Sequence, residues 1–122
     1  MQHSPGFLAL VADARSRIRE CSVAELAHSL GDASAVHLID VREDHEFARD
    51  HLPGARHVGR GVLERDIENA VSDKDAAIIL YCGGGFRSAL AADNLQRMGY
   101  TSVTSLAGGI SAWREAGLPL TR

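Results

Sequence analysis

Two kinds of apolar pattern alternate along the chain. Short, nearly continuous apolar runs at residues 36–42 and 76–81 are typical of parallel strands that are covered on both faces. Between and around these runs, apolar residues recur at helical spacing in four segments, residues 5–19, 23–30, 62–71 and 88–98. Shorter apolar stretches at 55–58 and 102–106 predict further strands. The alternation predicts an α/β fold with a mainly parallel sheet of about five strands flanked by helices.

The N-terminal part of the chain carries ordinary signals for helix boundaries. Pro5 opens a helical stripe over residues 5–19, which we expect to pack on the flank of the domain. Ser22 and Glu25 have the spacing of a capping box, which predicts a second helix from residue 23 to Gly31. Cys21 is expected at the end of a short strand, as a structural thiol. We therefore divide the chain into an N-terminal helical extension, residues 1–19, and one domain, residues 20–122.

Composition excludes several classes of function. The chain of 122 residues has a formal net charge of -3 and no basic stripe, which argues against nucleic acid or an anionic membrane as partner. Its two cysteines make no disulfide framework, which fits a reducing compartment. The apolar run at 7–12 is too short to span a bilayer and has no basic residue before it. We expect a cytoplasmic protein.

The most informative stretch follows the strand at residues 76–81. Cys82 stands at the end of this strand, and the next residues read as a tight loop and a helix start: Gly83, Gly84, Gly85, Phe86, Arg87 and Ser88. Glycines allow several N–H groups to converge on one centre, and the helix adds the positive end of its dipole. Such a cradle favours an anion, here the Cys82 thiolate, which is the nucleophilic form of cysteine.

A second strand ends in charged residues. Asp40 and Arg42 follow an apolar run, and the carboxyl ends of parallel strands line the crevice where α/β proteins bind ligands. They either contact substrate or form a buried ion pair that braces the loops. Arg87 has two candidate roles as well, a salt bridge to Asp40 and a contact to a substrate oxyanion. Arg60 is either on the rim of the same site or a solvated surface charge.

Four segments of the chain together resemble the single-domain rhodanese family, the thiosulfate sulfurtransferases. These are the apolar-Asp-Val-Arg strand end at 38–42, the aromatic-xxx-His-Leu-Pro-Gly-Ala segment at 47–55, the loop at 81–88, and the Gly-Gly-xxx-Trp element at 108–113. The resemblance covers roughly residues 20–120. It implies a rhodanese-like three-layer sandwich. Trp113 is expected to anchor the core, as large aromatic side chains usually do. No cofactor is implied, and His45, His51 and His57 lack the spacing of a metal site.

The resemblance also implies a chemistry. Cys82 would attack the outer sulfur of thiosulfate, release sulfite and carry the transferred sulfur as a persulfide. A thiophilic acceptor such as cyanide or a thiol would then remove that sulfur, with a thioredoxin-like protein as one candidate. The amides of residues 83–88 would hold the anionic persulfide sulfur, and Arg87 would bind a sulfonate oxygen. Phe86 either borders the site or packs inward.

Two other functions stay open at the level of the sequence. Cysteine-dependent phosphatases and arsenate reductases also cradle an oxyanion in a loop from cysteine to arginine, but with five residues between them, whereas four separate Cys82 from Arg87. The alternative from another class is a non-catalytic docking module of rhodanese-like fold. Such modules usually lack the cysteine, which favours the enzyme here.

Overall fold

The computed structural model describes residues 2–31 and 36–122. Within them the chain forms one sheet of five parallel strands in the order β1-β5-β4-β2-β3. The strands are β1 Arg19–Cys21, β2 Val36–Asp40, β3 Arg56–His57, β4 Ala77–Tyr81 and β5 Val103–Leu106. The α/β prediction with a parallel sheet of about five strands is confirmed. Because β4 lies at the centre of the sheet, the residues that follow it emerge in the middle of its carboxyl edge.

Helices cover both faces of the sheet in the part of the chain that the structure describes. They are α1 Pro5–Arg15, α2 Val23–Gly31, α3 Asp44–Arg49, α4 Leu63–Ala70, α5 Phe86–Arg97 and α6 Gly109–Glu115. Side chains of β4 alternate between the two sides, as a strand buried on both faces requires. Ile78 and Leu80 join the core formed with α4 and α5, while Ile79 and Tyr81 join the core formed with α2 and α6. Trp113 is 3% exposed within the second core.

Local sequence signals position most element boundaries. The capping box forms, with the Ser22 N–H donating to Glu25 Oε1 at 2.8 Å and the Glu25 N–H donating to Ser22 Oγ at 3.1 Å. Helix α5 begins at Phe86, two residues before the predicted start, because Gly85 adopts a left-handed conformation (φ 93°) that begins the helix there.

The N-terminal helix is shorter than the stripe at residues 5–19 indicates. It ends at Arg15, and a turn leads into β1, which already belongs to the sheet. Val11 and Ala14 are each 1% exposed, and α1 packs against α5. Arg17, in the turn after α1, links the two helices by donating to Asp13 of α1 and to Asp93 of α5, each at 2.8 Å. The division of the chain after residue 19 stays a prediction. Among the described residues, every helix falls short of the length and apolar character that a membrane-spanning helix requires.

Candidate active site

The Cys82 sulfur lies at the N-terminal end of α5 and accepts hydrogen bonds from the main chain. The N–H groups of Gly85 and Ser88 donate to Sγ at 3.2 and 3.3 Å. The residue is only 1% exposed and is one of those that line a pocket. Two aligned N–H groups and the positive end of the helix dipole favour a negatively charged sulfur at this position. The arrangement therefore suits a thiolate nucleophile.

A pair of serine hydroxyls supports the sulfur from inside the protein. Ser88 Oγ lies 3.5 Å from Cys82 Sγ and 2.8 Å from Ser105 Oγ, and both serines are fully buried. Sequence reasoning included Ser88 but missed Ser105. The available signal was a polar side chain within the apolar strand β5. Buried hydroxyls need partners, so the pair fixes the first turn of α5 against β5.

The start of α6 holds the active-site loop from behind. The N–H groups of Ile110 and Ser111 donate to the carbonyl oxygens of Cys82 and Gly83 at 2.9 and 3.1 Å. Since C=O and N–H point in opposite directions across a trans peptide, the N–H groups of Gly83 and Gly84 point away from α6. Gly83 and Gly84 both line the pocket. These amides do not bond Sγ itself, so they are available to a group bound next to the sulfur.

The pocket beside Cys82 has a volume of about 770 Å³. Four residues of the loop predicted from the sequence line it: Gly83, Gly84, Phe86 and Arg87. Phe86 thus borders the site, which answers the question that the sequence left open. The pocket is also lined by four residues that sequence reasoning did not assign to the site, His3, Phe7, Glu46 and Ser111. The N-terminal segment therefore belongs to the site as well as to the flank of the domain.

Arg87 forms an ion pair with Glu46 of α3, and not with Asp40. Its Nη1 and Nη2 donate to the two carboxylate oxygens of Glu46 at 2.9 and 3.3 Å. The hydrogen bonds from Arg87 lower the pKa of Glu46 to about 2, so the carboxylate is ionised at neutral pH. The signal for Glu46 in the sequence was its place in a second capping box, reciprocal with Glu43, at the start of α3.

Asp40 and Arg42 form the bracing pair that was one of their two predicted roles. Asp40 is 0% and Arg42 3% exposed, and Arg42 Nη2 donates to Asp40 Oδ2 at 2.8 Å. The same nitrogen donates to the carbonyl oxygen of Asp50 at 2.6 Å, which ties the end of β2 to the end of α3. Neither side chain lines the pocket, so they act on the site through the elements that they connect.

Arg60 lies outside the pocket. Its guanidinium pairs with Glu64, one helical turn further on, at 2.8 Å, and Glu64 also accepts a hydrogen bond from Asn94 of α5 at 2.7 Å. This pairing places the Arg60 guanidinium at the first turn of α4. Of the two roles predicted for Arg60, a place on the rim of the site and a surface charge, this pairing favours the second. No cluster of three or more metal-ligating side chains occurs in the described ranges of the chain.

The fold and this geometry define an α/β protein with a buried cysteine at the carboxyl edge of its parallel sheet, whose sulfur accepts hydrogen bonds from two main-chain N–H groups. The family profile described as "Rhodanese-like domain" matches residues 22–116. The chain belongs to this family. A thiosulfate sulfurtransferase, GlpE, of Stutzerimonas stutzeri is 39% identical over 91 residues, which is 75% of this chain and 81% of that protein.

Solved structures share the whole architecture. A protein of unknown function from Rhodopseudomonas palustris, described as a "Possible Tyrosine Phosphatase", has a TM-score of 0.87 and 34% identity. That match covers 99% of this chain and 98% of the other, so it includes α1. The polysulfide-sulfur transferase of Wolinella succinogenes has a TM-score of 0.80 and 27% identity, with 95% of this chain and 87% of that chain covered. The rhodanese fold is thereby confirmed.

Proposed function

We propose that this protein is a sulfurtransferase that moves a sulfane sulfur from thiosulfate, or a persulfide donor, to a thiol or cyanide through a Cys82 persulfide. The observation that carries the proposal is the pair of N–H groups, from Gly85 and Ser88, that donate to the Cys82 sulfur at the edge of an open pocket. The sulfurtransferase names of relatives support it.

The reaction takes place in two displacements at sulfur. The Cys82 thiolate attacks the outer sulfur of thiosulfate; a sulfur–sulfur bond forms as that of thiosulfate breaks, and sulfite leaves with the bonding electron pair. The persulfide that remains carries one negative charge on its outer sulfur. In the second step the acceptor, a thiolate or cyanide, attacks that outer sulfur and Cys82 leaves as a thiolate. No oxidant or external proton is needed.

The loop supplies donors for the new anion. The outer persulfide sulfur stands one bond, about 2.0 Å, beyond Sγ. Gly83 and Gly84 line the pocket, and the N–H groups that donate to Sγ are those of Gly85 and Ser88. We assign the amides of Gly83 and Gly84 to the outer sulfur, as an oxyanion hole serves an oxyanion. Arg87, which Glu46 holds in place, would contact a sulfonate oxygen of the donor.

The acceptor in the cell is proposed to be a thiol, small or carried by a thioredoxin-like protein. Both cysteines are free, and the pocket opens beside Cys82, so a thiolate can reach the persulfide. A reducing compartment such as the cytoplasm fits this chemistry, because oxidation would consume the reactive thiolate.

Intact-mass spectrometry after incubation with thiosulfate tests the proposal. Wild-type protein should gain one sulfur atom and lose it again when cyanide is added. The variant Cys82→Ser should gain none, since the hydroxyl is a poor nucleophile for sulfur. Cys21→Ser is the matched control, because Cys21 is the chain's other cysteine and is half-buried. Equal gain on Cys82→Ser, or no gain on wild type, would contradict the proposal; the second result would favour a docking module.

A phosphatase is the second candidate, since the similar Rhodopseudomonas palustris structure carries that description. Phosphate ester cleavage needs an acid to protonate the leaving oxygen. The described lining of the pocket includes one carboxylate, Glu46, which is ionised at neutral pH with a pKa of about 2. In addition, four residues separate Cys82 from Arg87, where such phosphatases have five, which leaves less room for a tetrahedral phosphate. Sulfite leaves as a stable anion and needs no acid. Release of phosphate from an aryl phosphate, without thiocyanate formation from thiosulfate and cyanide, would reverse this choice.

A further inference from the structure

The active-site pocket is lined by two chemically different sets of side chains. One set is the ion pair between α3 and the active-site loop. The other set is the rings of His3, Phe7 and Phe86, which we name the aromatic wall. Only Phe86 belongs to the loop; the other two rings come from α1 and the residues before it. A small inorganic sulfur donor does not need such a wall.

The three rings of the aromatic wall form one continuous surface. The ring centroids of His3 and Phe86 are 4.5 Å apart, those of His3 and Phe7 5.1 Å, and those of Phe7 and Phe86 6.1 Å, all in tilted arrangements. These separations are typical of favourable aromatic pairs. All three residues remain only partly buried, so the rings keep surface for a ligand.

Helix α1 is attached firmly enough to hold the wall beside the sulfur. Arg15 lies over the Phe86 ring, 5.0 Å from its centroid, and its Nη2 donates to the carbonyl oxygen of Gly85 at 3.3 Å. Gly85 itself donates to the catalytic sulfur. Val11 and Ala14 follow Phe7 on the same face of the helix, at i+4 and i+7, and each is 1% exposed. The wall and the anion cradle are thus parts of one packed unit.

The volume and charge of the pocket fit an organic ligand better than thiosulfate. About 770 Å³ lies within the range of roughly 300–1,000 Å³ that is typical of sites for organic small molecules. The faces of aromatic rings are electron-rich, so they disfavour the charged oxygens of thiosulfate and favour a flat apolar group. Glu46 also neutralises much of the charge of Arg87, which weakens the attraction for a doubly charged ion.

Building on the sulfur transfer proposed above, we propose that the pocket selects an organic sulfane-sulfur donor with a flat apolar substituent, and that His3 and Phe7 determine this selectivity. An arylthiosulfonate is the simplest donor of this class. The Cys82 thiolate would attack its terminal sulfur; the bond between that sulfur and the sulfonyl sulfur would break, and an arylsulfinate would leave with the electron pair. The persulfide formed is the same as with thiosulfate.

The test compares two donors that differ in one substituent. Benzenethiosulfonate has a phenyl group where thiosulfate has a charged oxygen, and both load sulfur onto the same atom. We expect wild type to have the higher kcat/KM with benzenethiosulfonate. Phe7→Ala should lower that kcat/KM about threefold to tenfold, the loss expected for one aromatic contact, and should change kcat/KM for thiosulfate by less than about twofold.

The matched control is Leu10→Ala in the same helix, because the Leu10 side chain is 61% exposed and does not line the pocket. It should keep the wild-type ratio of the two donors. His3→Ala provides a second variant, at a residue that precedes the helix and takes no part in its backbone hydrogen bonds; it should shift the ratio in the same direction as Phe7→Ala. Equal loss with both donors, or an unchanged ratio in both variants, would refute the selectivity. If thiosulfate also failed to load wild type, the sulfur transfer itself would be wrong.

Discussion

Gly109 offers the sharpest test of how the active-site loop is held. It is the first residue of α6 and has a φ of 58°, in the left-handed region that disfavours side chains. A Cβ atom placed there would lie 2.5 Å from the carbonyl oxygen of Cys82 and 2.6 Å from that of Gly83. Both are main-chain atoms that cannot rotate away. We therefore expect Gly109→Ala to displace the loop from α6.

The expected loss of stability in Gly109→Ala is the sum of two separate free-energy costs. A left-handed conformation costs an L-residue about 1–2 kcal/mol. The closest contact must also open from 2.5 Å to an ordinary 3.4 Å, a shift of 0.9 Å, and forced repacking of this kind adds about 1–3 kcal/mol. The free energy of unfolding should therefore fall by about 2–5 kcal/mol in total. A shift of nearly 1 Å at reacting groups lowers rates by about 100-fold.

Gly117 separates the two costs. It also has a left-handed backbone, with a φ of 72°, but nothing lies within 4 Å of a Cβ placed there. Gly117→Ala should therefore lose only the backbone part, about 1–2 kcal/mol, and should load sulfur from thiosulfate at the wild-type rate. Urea denaturation measures the stability of both variants. Intact-mass spectrometry of samples quenched at successive times measures the rate at which thiosulfate loads sulfur onto each. Equal stability loss and equal loading in the two variants would show that α6 does not hold the loop.

Two further predictions concern side chains at the site. Ser88→Ala keeps the N–H that donates to the Cys82 sulfur but removes the hydroxyl that lies 2.8 Å from the buried Ser105 hydroxyl. The free energy of unfolding, measured by urea denaturation, should fall by about 1–3 kcal/mol, and sulfur loading should be slower but measurable. Complete loss of loading would contradict the view that the N–H groups are the main support of the sulfur. The ion pair with Arg87 lowers the folded-state pKa of Glu46 from 4.5 to about 2. The pair therefore stabilises the wild-type fold fully above pH 4.5, and this contribution is lost as the pH falls toward 2. Glu46→Gln should lack this contribution and its pH dependence. Partial exposure of the pair limits this to about 1 kcal/mol, and a variant with the same acid dependence as wild type would contradict it.

The parts of the site that the sequence predicts are those whose residues are neighbours in the chain. The apolar run before Cys82, the glycines after it and the helical spacing beyond describe a strand, a turn and a helix start, and these interactions are local. The hydrogen bonds from Gly85 and Ser88 to the sulfur span three and six residues. The turn geometry alone brings such groups together, so the pattern was sufficient.

The missed parts depend on contacts between distant segments. Arg15 and Gly85 are 70 residues apart, and Arg87 and Glu46 are 41 apart. Helical periodicity shows that α1 has an apolar face, but it does not show which part of the domain that face meets. The helix also ends at Arg15, which leaves the chain free to enter β1 beside β5. The aromatic residues at its start reach Phe86 only because α1 packs along α5.

The partner of Arg87 shows why ion pairs are hard to assign from sequence. Asp40 is the partner that the sequence offers as one candidate for Arg87, yet its carboxylate already accepts hydrogen bonds from the N–H of Arg42 at 2.8 Å and from the Arg42 guanidinium. A buried carboxylate whose hydrogen bonds are already made by a residue two positions away gains little from a second, distant cation. The local pair also costs less conformational entropy, because fewer parts of the chain have to be ordered to form it. Arg87 therefore pairs with Glu46, which projects from α3 into the pocket. The Arg87–Glu46 pair is partly exposed, whereas the Arg42–Asp40 pair is buried. A substrate in the pocket can therefore reach the charges of Arg87 and Glu46 but not those of Asp40 and Arg42.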